Sequence, residues 1–74
     1  MQYKVVIEQR KNDKRVEKFN DIINEDKVIE VLRFNIRNSE LFPDLILKDS
    51  IQFGESSDWD EYSGYGYNII KIQN

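Results

Sequence analysis

Between Glu55 and Tyr67 the chain collects side chains well suited to recognition. Four carboxylates, Glu55, Asp58, Asp60 and Glu61, fall within seven residues, with Trp59 and Tyr62 among or beside them and Tyr65 and Tyr67 just beyond. Trp and Tyr supply rigid, amphipathic contacts at little entropic cost, and carboxylates around them steer a basic partner into place. The segment therefore reads as a contact surface for a positively charged protein, its acidic groups able to stand in for phosphates. The opposing reading makes Trp59 a plug in a core that has few Leu and no Ala, with a solvated acidic loop around it. Carboxylates are also hard ligands of the kind calcium takes, but the spacing does not fit. Counting from Asp58, the sixth position is Ser63 rather than Gly and the twelfth is Ile69 rather than Glu. No metal site is assigned.

A second set is basic: Arg10, Lys11, Lys14, Arg15 and Lys18, diluted by Asp13 and Glu17. Joined by Arg33 and Arg37 it would track a phosphate backbone, with Tyr3 or Phe34 stacking on bases. Against this stand a net charge of -3 and the lack of the Gly-Phe aromatic string of RNA-recognition sheets. Nucleic acid is thus the alternative partner. Charge is unevenly spread: residues 1–37 hold nine basic and seven acidic side chains, and residues 38–74 hold two and seven. The run Ser63-Gly64-Tyr65-Gly66-Tyr67 lacks the Lys-Ser/Thr of a phosphate loop and reads as a flexible entry into a strand.

The sequence has no His and no Cys. The commonest general base is therefore absent, as are thiolate nucleophiles, disulfides and sulfur-based metal sites. Acid-base work would fall to Asp58, Asp60, Glu61 and Tyr62, and a chain of 74 residues has little room to enclose a cavity around them. The expectation is a non-enzymatic protein without cofactor. No apolar run has signal-peptide length, and none approaches the ~18 residues of a membrane span, so the expected setting is cytoplasmic with no membrane partner. Ten Ile, seven Asn and seven Lys against no Ala or Thr point to AT-rich coding, as in a low-GC bacterium, its phage or another mobile element.

These groups must be positioned by a small number of elements. Tyr3, Val5 and Ile7 alternate with Lys4, Val6 and Glu8, which predicts a strand over residues 2–9 with one buried face. Lys11-Asn12-Asp13-Lys14 supplies turn residues tolerant of left-handed backbone. A second strand over residues 15–19 follows, although Val16 and Phe19 have opposite parity; the competing reading is a short helix through Val16, Phe19 and Ile23. A helix is predicted over residues 25–38, with Asn24 as N-cap, Glu25 and Asp26 in the first turn, and Arg33 and Arg37 near the end. Its apolar arc comprises Val28, Ile29, Val31, Leu32, Phe34 and Ile36, with Asn35 inside the arc and in need of an amide partner. Pro43 excludes an unbroken continuation. Leu45, Leu47, Asp49, Ile51 and Phe53 then alternate as a strand interrupted near Asp49, residues 54–64 read as a long loop, and residues 65–73 form a final strand.

The resulting order β-β-α-β-β is a small two-layer α+β domain, one helix packed on a mostly antiparallel sheet, matching a β-grasp-like arrangement by analogy of topology alone. The final strand is expected at an open sheet edge, where it would support a homodimer or be covered by a partner. The functional expectation is a protein-interaction module, a small inhibitor or accessory protein, binding a basic partner through residues 55–67.

Overall fold

The computed structural model describes residues 1–36 and 41–72. Alternation carries the chain through β1 (Gln2–Lys11) and, after a two-residue turn, β2 (Lys14–Asn24). The turn residues Asn12 and Asp13 both have positive φ, 53° and 64°. That is the requirement of the type I′ turn, whose twist matches that of the strands it joins. The second segment is a strand, longer than expected, and its parity conflict has a structural cause. Ile7 pairs with Phe19 but Glu8 pairs with Glu17, so Lys18 is an extra residue in a β-bulge. The bulge returns Val16, opposite Gln9, to the same face as Phe19.

Helix α1 (Glu25–Asn35) begins where expected, with Glu25 and Asp26 in its first turn and Arg33 in its last. Asn24 has the extended backbone of an N-cap but makes no side-chain cap bond. Val28, Leu32 and Ile36 are buried, whereas Phe34, read as part of the apolar arc, is 70% exposed. The buried stripe is narrower than the arc the sequence suggested, since Ile29 and Val31 are only half-buried. The Asn35 amide is satisfied within the helix, donating to the Val31 carbonyl at 2.8 Å. Residues 37 and 38, assigned to the same helix, lie outside the described residues.

The segment from Pro43 corrects the sequence reading: it is a second helix, α2 (Pro43–Phe53), rather than an interrupted strand. Pro43 sits at the first turn, where its missing N–H costs nothing, and Gly54 ends the helix at φ 80° in the left-handed region. Ile46 and Ser50, four apart, form the buried stripe. Ser50 is tolerated there because its hydroxyl donates to the Ile46 carbonyl at 2.8 Å. The long loop expected next is in part a strand, β3 (Glu55–Asp60), followed by β4 (Tyr65–Ile72). The order is therefore β-β-α-α-β-β, still α+β, with α1 over β1 and β2 and α2 over β3 and β4.

All strand pairs are antiparallel, in the sheet order β2-β1-β4-β3. The core lies between sheet and helices: Tyr3, Val5 and Ile7 with Ile69, beneath Val28, Leu32, Ile36 and Ile46. This order overturns the expected open edge at the last strand, because β4 lies between β1 and β3 and is paired on both sides. The edges are β2 and β3, and both are guarded alike. The Ile22 amide donates to the Asp21 carboxylate at 2.8 Å, and the Trp59 amide to the Asp58 carboxylate at 2.8 Å. Each carboxylate takes an edge amide that an added strand would otherwise use. No helix among the described residues is long and apolar enough to cross a membrane.

Candidate functional site

Strand alternation distributes the acidic aromatic residues over two faces. Trp59 stands opposite Gly66, which stands opposite Glu8, so Trp59 lies on the face turned away from the helices, together with Glu55 and Ser57. Asp58 pairs with Tyr67 and Asp60 with Tyr65, on the helix side. The set expected to form one patch thus wraps the β3 edge, and Glu61 and Tyr62 lie at the turn beyond it. Tyr62 is 92% exposed. The turn closes through Gly64, at φ 74°, whose amide donates to the Asp60 carbonyl at 2.8 Å. The Tyr62 amide donates to the Asp60 carboxylate at 3.0 Å.

Trp59 is neither a core plug nor a free anchor. Its ring lies over Gly66, where a Cβ would run into the ring edge at Cε3. Above the ring sits the Arg15 guanidinium, 4.1 Å from the centroid. Glycine leaves a gap in the pleated surface, and a cross-strand aromatic that fills it restores the packing. Because β2 and β3 are the two edges, the Arg15–Trp59 stack spans the full width of the sheet.

The tyrosines of β4 face the helices. The Tyr65 hydroxyl accepts from Gln9 Nε2 at 3.1 Å, and the Lys18 ammonium lies 5.7 Å from its ring centroid. Tyr67 packs against the core, and burial is the main cause that raises its pKa above the ordinary tyrosine value. A long bond from the Ser56 hydroxyl acts the other way, and Asp58 and Asp49 add to the rise.

The basic set does not gather on one surface either. Arg10 is bound to the acidic hairpin, with Nη1 2.9 Å from Glu61 Oε2 and Nη2 donating to the Glu61 carbonyl at 3.0 Å. Its amide donates to the Gly64 carbonyl at 2.7 Å. Arg15 is stacked on Trp59, and Arg33 faces Asp44 at 3.8 Å. Lys11 and Lys14 close the β1–β2 turn, and Arg37 lies outside the described residues. The charge asymmetry of the sequence is therefore partly cancelled in space, since the β1–β2 and β3–β4 hairpins bring their opposite charges together. Glu55 and Asp58 make no ion pair with any described residue.

Two surface features were not legible in the sequence. On the open face, a depression of about 330 Å³ is lined by Val6, Glu8, Arg15, Ser57, Trp59 and Asn68 among others. On the helix side, a groove of about 540 Å³ runs between α1 and β2 past Phe19, Ile23, Val31 and Phe34. Alternation within β3 would have pointed to the first, had that segment been read as a strand. Among the described residues no three carboxylates converge to hold a metal ion. No family model matches the chain, no curated protein is significantly similar to it in sequence, and no solved structure is significantly similar to it in fold.

Proposed function

We propose that the chain is a non-enzymatic protein-interaction module that docks a basic segment of another protein along the β3 edge and its hairpin. The supporting observation is that Glu55 and Asp58, on opposite faces of β3, have no ion-pair partner among the described residues, while Tyr62 in the turn beyond the strand is 92% exposed. An exposed aromatic at the end of an edge strand that carries carboxylates without ion pairs gives a partner both an anchor and a steering field. At Trp59 the contact runs through side chains, because its edge amide is already taken by Asp58. Action as a small inhibitor or accessory protein in the cytoplasm, from a low-GC bacterium or mobile element, completes the proposal and rests on the composition.

Calorimetry with a peptide of alternating Lys and Arg tests this reading. Binding by the wild type should weaken as salt rises, and the double reversal Glu55→Lys/Asp58→Lys should abolish it. Unchanged binding by the reversed variant, or tighter binding of a DNA duplex than of the peptide, would reject it.

A further inference from the structure

The Arg15–Trp59 stack indicates which basic group the site accepts. Beside it lies the depression of about 330 Å³ on the open face, at the lower end of the ~300–1,000 Å³ span of ligand clefts. Glu8 forms one wall, half-buried and without an ion-pair partner among the described residues, and Glu17 stands directly opposite it on β2. Ser57 and Asn68 add a hydroxyl and an amide. An indole face next to a partly desolvated carboxylate suits a planar guanidinium, which can stack on the ring while its N–H groups reach the carboxylate. The chain's own arginines make the two halves of this contact separately, Arg15 stacking on the ring and Arg10 donating to the Glu61 carboxylate, with a second bond to the Glu61 backbone carbonyl.

We infer that the Trp59 ring face, together with the depression beside it, is a guanidinium subsite for an arginine of the docked protein, and that Arg15, which lines the depression and covers the ring, is displaced from the ring when that arginine enters. The inference rests on the docking reading above and adds to it the residue type recognised and a built-in competitor. Lysine is the poorer ligand, because an ammonium is compact, more strongly hydrated and cannot stack. Self-occupation lowers affinity for every arginine by the free energy of the internal contact, and so reserves the site for partners with additional contacts along β3.

Trp59 is the only tryptophan and reports directly on the subsite. Its fluorescence should be titrated with octa-arginine and octa-lysine, peptides of equal charge, against the wild type and the variants Arg15→Gln, Lys14→Gln and Glu8→Gln. Lys14→Gln removes the same charge at the residue before Arg15, where the side chain does not stack on the ring. Octa-arginine should bind the wild type more tightly than octa-lysine, and Arg15→Gln should tighten octa-arginine binding about two- to fivefold beyond Lys14→Gln, the worth of one exposed cation–π contact. Glu8→Gln should weaken octa-arginine binding. Equal effects of Arg15→Gln and Lys14→Gln, with the peptide still bound, would reject the subsite and leave docking on the hairpin standing. Absence of binding by either peptide to any of these proteins would reject both.

Discussion

Trp59 and Gly66 stand opposite each other on β3 and β4, and the indole ring occupies the space that a side chain on Gly66 would fill. A Cβ there would meet the ring and lie 3.1 Å from the Asp58 carbonyl. Gly66→Ala should therefore lift the ring off the sheet, separate it from Arg15, and cost about 1–3 kcal/mol, the usual penalty of overpacking. Denaturant unfolding gives the cost, and a red shift of Trp59 emission gives the displacement. An unshifted spectrum with unchanged stability would show that the ring does not depend on the glycine.

The helix layer is held to the sheet by a small set of buried residues, and Leu32 is central among them. Leu32→Ala should cost about 2–5 kcal/mol in urea unfolding. A loss below ~1 kcal/mol would mean that α1 does not cover Tyr3, Val5 and Ile7 as described.

Asp13 at φ 64° makes a local prediction for the first turn. Glycine has no steric penalty in the left-handed region, whereas a β-branched residue has a large one. Asp13→Gly should raise the unfolding midpoint, and Asp13→Val should lower stability by about 1–2 kcal/mol. The reverse ranking would exclude the type I′ turn.

Tyr3 predicts the alkaline limb of stability. Burial, with the bond from its hydroxyl to Glu25 Oε1 at 2.9 Å and the charge of that carboxylate, pushes its pKa up from 10.0 to about 12. The folded protein therefore holds the phenolic proton to higher pH than the unfolded chain does. Stability from this source is complete below pH 10 and is lost as pH rises from 10 towards 12. Tyr3→Phe should flatten that limb while costing about 1 kcal/mol at neutral pH through the lost hydrogen bond. An alkaline limb of unchanged steepness in Tyr3→Phe would contradict the assignment.

The parts of the fold that were legible are those in which local pattern and tertiary environment agree. Tyr3, Val5 and Ile7 alternate and are all buried, Asn12-Asp13 is turn chemistry used as a turn, and α1 starts at the acidic pair Glu25-Asp26. Helix α2 is poorly legible because its buried stripe contains a serine: with Ser50 counted as polar, the remaining apolar residues fit a period of two as readily as a helix. The punctuation was nevertheless present in Pro43 at one end and Gly54 at the other. Strand β3 was hidden for a different reason. Glu-Ser-Ser-Asp-Trp-Asp has little intrinsic strand preference, and its conformation comes from pairing with β4, a non-local fact. The arrangement of the site depends on this strand, since a loop would present Trp59 with Asp58 and Asp60, whereas a strand turns them to opposite faces.

Docking of a basic protein segment on the β3–β4 hairpin can be followed through the backbone amide resonances while the alternating Lys-Arg peptide is added. Shifts should concentrate in residues 55–67, extend on the open face to Glu8 and Arg15, and fade as salt is raised. Shifts confined to the α1–β2 groove, or shifts along residues 10–18 that appear with a DNA duplex and not with the peptide, would contradict it.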